Sequence, residues 1–254
     1  MFKSIFVQTT QIYFTFVKSK LECNICHYKA NRLDSDSWHL YVNCPNCGSG
    51  VRQRLLWATF EHLEYFSLNR IIKEKFVLHF APEKTLGNLI KKYAKNYKTA
   101  DFLADGYSYD KIDSIIDISN MLNIKDESFD CVIACDVLEH VPNHINGIKE
   151  VYRILRKGGH CIFTVPQRDN LKITYEDLSI RNPIDREKAF GQFDHLRIYG
   201  DDFSSSLENC GFKVTAINET FFPNEVAIRN VLFPPIYSTK ENVTNFRKIF
   251  IGAK

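Results

Sequence analysis

The stretch from Phe129 to Val165 constrains the fold more than any other part of the chain. Phe129–Ala134 is a short apolar run of the kind that forms a buried strand. Ile145–Leu155 follows as an amphipathic helix, with Ile145, Ile148, Tyr152 and Leu155 on one face. Lys157-Gly158-Gly159 stops it, Gly158 suiting the left-handed residue that ends such a helix. Cys161–Val165 is a second apolar run. Strands alternating with helices predict a parallel sheet covered on both faces.

The rest of the chain extends that alternation. Its 254 residues are 44% hydrophobic and 25% charged, enough for a sizeable core without disulfides. Phe76–Phe80, Tyr97–Phe102 and Ser114–Ile118 are strand candidates, with a helix over Leu86–Tyr93. A helix over Val51–Leu68 carries Leu56, Phe60 and Leu63 on one stripe, with Arg52, Arg54 and Glu61 off it. Asp202–Asn209 reads as a helix ended by Gly211, then strands over Phe212–Ile217 and Phe246–Ile251. Pro166–Gly200 fits no α/β unit and reads as an insertion. The net charge of +3 neither demands nor excludes a nucleic-acid partner. The segment 1–20 is aromatic but broken by Gln8, Thr9, Thr10 and Gln11, too polar to span a bilayer. It suits packing on the core, disorder, or peripheral contact with a membrane surface. The expected location is cytoplasmic.

The eight cysteines fall into two groups. Cys131, Cys135, Cys161 and Cys210 lie along apolar runs, as small hydrophobes do. Cys23-x2-Cys26 and Cys44-x2-Cys47 have the spacing of a four-thiolate zinc site, with Asn24, Pro45, Asn46, Gly48 and Gly50 supplying turns. Four thiolates fill the coordination sphere, so the zinc is expected to be structural. His27 and His39 are not needed as ligands, and Trp38 and Tyr41 are expected to pack on the module.

The segment Asp126–Pro166 closely resembles the fourth and fifth strands of class I S-adenosylmethionine-dependent methyltransferases, in SFDCV, VLEHV and the GG before an apolar strand ending in Val-Pro. The run Leu78-His79-Phe80-Ala81-Pro82-Glu83, the module ending Cys44-Pro45-Asn46-Cys47-Gly48-Ser49 and the Phe190–Gly200 segment resemble a bacterial branch of that family with an N-terminal four-cysteine module. The resemblance covers roughly residues 21–222. It implies an α/β, Rossmann-like methyltransferase fold: a mostly parallel seven-stranded sheet with helices on both faces, preceded by a small zinc ribbon. The expected division is 1–20 as an N-terminal segment, 21–50 as the ribbon and 51–254 as the methyltransferase domain with insertion 166–200.

The resemblance also implies a cofactor site for S-adenosylmethionine. Asp101, roughly 20 residues after the first strand, stands where Rossmann-like folds place the ribose-binding acid. Asp117 is implied to face the adenine amino group and Ile118 to pack on the ring, with Cys135 ending the fourth strand at the crevice. His79 occupies the family's acidic position, and Ala81 is the one small residue where the family has a glycine loop. Glu83 is implied to meet the methionine ammonium. For catalysis the first choice of base is His195, because histidine titrates near neutrality. His140 and Asp136 at the crevice are further candidates, and Arg197 is expected to hold an anionic group. The leading reading is O-methylation of a small-molecule or glycan acceptor. The alternatives are an RNA methyltransferase with Arg52 and Arg54 facing RNA, and a degenerate zinc-stabilised binding protein.

Overall fold

The computed structural model describes residues 20–102, 112–240 and 243–254. Its centre is a seven-stranded sheet built from β3 (Phe76–Phe80), β4 (Asn96–Asp101), β5 (Ser114–Ile115), β6 (Phe129–Cys135), β7 (Leu155–Thr164), β10 (Lys213–Ile217) and β11 (Ile249–Ala253). The strands lie in the order β10-β11-β7-β6-β3-β4-β5. β5, β4, β3, β6 and β7 are mutually parallel, while β11 runs antiparallel to both neighbours. The expected mostly parallel seven-stranded sheet is therefore observed.

Alternation along the strands feeds two cores. Val77, Cys131, Ile133, Ile162 and Ile251 face one side, against α1 (Val51–His62) and α3 (Lys84–Tyr93). Leu78, Phe80, Val132, Ala134 and Phe163 face the other, against α4 (His144–Ile154) and α6 (Phe203–Glu208). Among the described residues the remaining α-helices are short: α2 (Leu68–Ile71), α5 (Pro183–Phe190) and α7 (Asn224–Arg229). α4 opens on an Asn143 cap whose side chain accepts from the Asn146 amide, and Ile148, Val151 and Ile154 bury its apolar face. Leu155 is already extended, so Gly158 is not the residue that ends this helix. Its φ of +75° instead serves the entry to β7, where the register against β6 shifts between Phe129 and Cys131.

The cysteine module carries β1 (Leu21–Glu22) paired with β2 (Lys29–Ala30) and packs directly on α1. The amphipathic reading of α1 fails for that reason. The helix stops at His62, where Leu63 turns extended, and Arg54 to Phe60 are all buried because it is sandwiched between module and sheet. Trp38 remains 42% exposed under Lys240 rather than covering the module.

The insertion leaves the end of β7 and returns to it. The Tyr199 amide donates to the Pro166 carbonyl and the Arg168 amide to that of Tyr199, while β8 (Tyr175–Glu176) pairs with β9 (Arg197–Ile198). Among the described residues no helix is long and apolar enough to cross a membrane. The peripheral-membrane reading of 1–20 falls on residues almost wholly outside those described.

Candidate active site

The chain runs outward from β3 to β5, then crosses back to β6 on the other side of β3, so a crevice opens at the carboxyl ends of β3 and β6. Both strands leave the sheet through a left-handed residue. Ala81 has φ +44° and Asp136 φ +51°. At Ala81 an alanine takes the conformation for which glycine is usually required, at about 1–2 kcal/mol of backbone strain. The glycine-free loop thus keeps a glycine-like turn.

Arg52 reaches into this crevice from the first turn of α1. Its guanidinium lies 2.6 Å from Glu83 and 3.3 Å from Asp136, and Nη1 donates to the Thr164 hydroxyl at 3.4 Å. Burial opposes its charge, yet Asp136 and Glu83 hold the guanidinium above its ordinary pKa. The Asp136 carboxyl feels the converse: burial raises it, but Arg52, Arg247 and the Thr164 hydroxyl together hold it below the usual carboxylate range. Asp136 also accepts from Thr164 at 2.8 Å. With its oxygens so engaged, it stands as an anion paired with Arg52 rather than as a ready proton acceptor. Sequence reasoning missed Arg52, having placed it on the outer face of a helix. The signal was the Arg-x-Arg pair at the helix start, whose members point to different sides.

His79 is wholly buried beneath the crevice. Burial, then the Arg52 charge, pulls its pKa down to about 3, so it is neutral. Its Nδ1 lies 2.8 Å from the Tyr97 hydroxyl and its Nε2 3.8 Å from Glu83. Gly87 permits that arrangement, since a Cβ there would meet the Tyr97 oxygen at 2.8 Å. Asp101 ends β4, its Oδ1 accepting from the Phe102 amide at 2.7 Å. Asp117 lies beyond β5 and folds its Oδ1 onto the Ser119 amide and hydroxyl, both at 2.7 Å. Ile118 is buried in the second core beside Gly147. Cys135 ends β6, and burial pushes its thiol up to about 12.

The insertion brings His195 to the same edge. Its ring meets that of His140 edge-on with centroids 4.9 Å apart. His195 Nδ1 lies 3.2 Å from the Phe190 carbonyl, and His140 Nδ1 3.1 Å from Asp194. Burial and the neighbouring His140 lower His195 to about 4. Burial also lowers His140, against the pull of Asp194, Asp136 and Asp101. Arg197, by contrast, holds no free anion. It is fully buried, donating to the carbonyls of Leu138, Val141 and Pro142 and to Glu176, so it fastens β9 to the turn after β6. Its expected role as an anion holder is corrected accordingly.

At the cysteine module the two halves are equivalent. His27 donates its amide to the Cys23 carbonyl (2.7 Å) and Gly48 to that of Cys44 (2.8 Å). Both residues are left-handed, at φ +59° and +72°. The sulfurs of Cys23 and Cys47 are 3.7 Å apart and those of Cys26 and Cys44 3.6 Å. Zn–S bonds of ~2.3 Å in a tetrahedron require edges of about 3.8 Å, so these residues fit zinc. Arg54, fully buried, ties the module down by donating to the carbonyls of Ser49, Val42, Asn230 and Val231. Arg54 is thus buried, while Arg52 is partly exposed and paired inside the crevice.

Residues 90–163 match the methyltransferase domain family, from the end of α3 to β7 and beyond the glycine-free loop. The fold is similar to that of a 1,6-didemethyltoxoflavin-N1-methyltransferase from Burkholderia thailandensis, solved with 1,6-didemethyltoxoflavin and S-adenosylhomocysteine bound. That likeness has a TM-score of 0.50 at 10% identity, over 80% of this chain and 78% of the other. An uncharacterized protein of Methanocaldococcus jannaschii is 30% identical over 125 residues, 48% of this chain and 47% of its own length. A 37.1 kDa transposon protein of Streptomyces fradiae is 37% identical over 59 residues, 23% of this chain and 17% of its own. The chain thus spans about half or less of the curated relatives it matches. Sheet order defines a Rossmann-like, methyltransferase-type fold, within which residues 90–163 match the methyltransferase domain family.

Proposed function

We propose that the chain is an S-adenosylmethionine-dependent methyltransferase that methylates an oxygen of a small-molecule or glycan acceptor. The observation that carries this reading is the crevice between β3 and β6, lined with both signs of charge. When bound there, the cofactor supplies an electrophilic methyl group. Its methionine end is a zwitterion, which the Arg52 guanidinium and the Glu83 carboxylate complement, with the Ala81 turn leaving the backbone close. Asp101 takes the ribose hydroxyls, Asp117 and Ile118 the adenine, and His79 and Cys135 form the floor beneath.

The acceptor enters under insertion 166–200. Holding it in line with the methyl group supplies much of the rate. Neutral His195 accepts the hydroxyl proton, assisted by His140; an acceptor oxygen needs such a base within hydrogen-bond reach. Residues 21–50 act as a structural zinc ribbon that fixes α1, and through α1 the position of Arg52. The RNA-directed reading loses its proposed contacts, since Arg54 is buried and Arg52 is paired inside the crevice.

Titration calorimetry with S-adenosylmethionine and S-adenosylhomocysteine tests the cofactor site. Asp101→Ala should weaken binding more than about tenfold, ~1.4 kcal/mol, with the thermal unfolding midpoint preserved. Wild-type protein that binds neither nucleoside at ~1 mM, the range of weak encounter affinities, ends the enzyme reading.

A further inference from the structure

Glu139 sits on the turn after β6 with 1% of its surface exposed and no hydrogen-bond partner for either carboxylate oxygen. An uncompensated buried carboxylate is costly and calls for an explanation. Its neighbours supply one. His140 Nε2 lies 4.0 Å from Glu139 Oε1, and one donor atom each from Glu139, His140 and His195 fall within 4.8 Å of one another.

Each imidazole is held by its far nitrogen. His140 Nδ1 faces the Asp194 carboxylate at 3.1 Å, and His195 Nδ1 faces the Phe190 carbonyl at 3.2 Å. In both rings a proton on Nδ1 then donates to that acceptor, which makes Nε2 the nitrogen that carries the lone pair. Metal-ligating histidines are oriented in this way, by a carboxylate or a backbone carbonyl on the opposite nitrogen. The Leu196 amide donates to the Glu139 carbonyl at 2.9 Å, locking the two segments together.

We propose that Glu139, His140 and His195 form a binding site for a divalent first-row transition ion, distinct from the cysteine module. Two imidazoles and one carboxylate are donors such ions accept, and they leave coordination positions open. Bonds of ~2.1 Å bring ligand atoms to about 3–4 Å of one another, so small rotations of the side chains close the site. Burial, then Asp136, raises the Glu139 carboxyl well above its ordinary pKa, and burial lowers both histidines. Resting on the methyltransferase reading, the open positions would take acceptor oxygens and lower the pKa of a bound hydroxyl, whose proton would pass to solvent water; His195 would act as base only while no ion is bound.

The test is titration of cobalt(II) chloride into the full chain, its cysteine module first loaded with zinc. Thiolates retain zinc over cobalt, and cobalt entering the module would announce itself by thiolate charge-transfer absorption. One cobalt per chain, without that absorption and with zinc content unchanged, is the expected result. Glu139→Gln and His195→Gln should each weaken it by more than about tenfold; even residues that only orient ligands are worth 10–100-fold. Asp194→Asn should weaken it less. Wild-type protein that takes up no cobalt beyond the module overturns the proposal, as does uptake unchanged in the Glu139→Gln/His195→Gln double variant. S-adenosylhomocysteine binding measured on the same samples separates the two readings. Cobalt uptake without nucleoside binding keeps the ion site and removes the methyltransferase. Nucleoside binding without cobalt removes the ion site alone.

Discussion

Replacing Arg54 should loosen the cysteine module from the sheet. The guanidinium is fully buried and donates to four carbonyls: those of Ser49 and Val42 in the module (the latter at 2.7 Å), and those of Asn230 and Val231 at 2.8 and 3.0 Å. Burial pulls its pKa down to about 10, against the attraction of the four cysteine sulfurs, so it remains a cation at neutral pH. Arg54→Ala strands four buried acceptors, each costing about 1–3 kcal/mol if unsatisfied. Water entering the vacated space reaches some of them, so the lower figure applies and the loss is about 4 kcal/mol. That is a large share of the 5–15 kcal/mol typical of a folded domain. A zinc-loaded module adds to the effect, because four thiolates on one Zn2+ carry a net double negative charge that Arg54 offsets. The assay is urea unfolding followed by circular dichroism, with a chromogenic chelator reporting zinc release in parallel. Zinc should leave Arg54→Ala at lower urea than wild type, and Arg54→Lys should fall between them. An Arg54→Ala protein within about 0.5 kcal/mol of wild type, the ordinary range for a surface change, would refute the reasoning.

Three further outcomes follow from the same geometry. Chelation of zinc should unfold residues 21–50 and expose the Trp57 face of α1, read as a red-shifted tryptophan emission and reversed by zinc; an unchanged spectrum in the metal-free protein counts against the ribbon. Ala81→Gly relieves a left-handed strain of about 1–2 kcal/mol but adds roughly 0.5–1 kcal/mol of chain entropy, so its melting point should stay near wild type, whereas Ala81→Val, with a branched Cβ at φ +44°, should melt well below it. His79, held to about 3 by burial and then Arg52, and His144, held to about 4 by burial and then Arg197, bind protons more readily unfolded, where histidine titrates near 6.5. Their contribution is therefore complete above pH ~6.5 and drains away as acidification proceeds toward 4; urea midpoints should fall over that window, less steeply in His144→Gln, and a flat profile would contradict the burial of these rings.

Local signals carried the scaffold. The apolar runs at Phe76–Phe80, Phe129–Ala134 and Cys161–Val165 became β3, β6 and β7 because a run apolar on both faces has few places to go except the middle of a covered sheet. The Cys-x2-Cys pairs brought four sulfurs together because each pair is one tight turn. Helix ends were less legible. Gly158 looked like the end of α4, yet that helix stops at Ile154, where the return to β7 pulls Leu155 into the extended state.

Within the site, sequence placed His79, Asp101, Asp136, His140 and His195 in segments that do reach the crevice or its rim, but not what surrounds them. Arg52 and Arg54 look alike on paper and meet opposite fates. Arg52 finds Glu83 and Asp136, 31 and 84 residues away by numbering, while Arg54 finds Asn230 and Val231 near the other end of the chain. Arg197 read as an anion holder until three backbone carbonyls and Glu176 closed on it. Periodicity and spacing act over a turn or two of backbone, so one sequence suffices to read them. The charge state and partners of a polar side chain depend on which distant segments fold over it, and that only the packed tertiary structure decides.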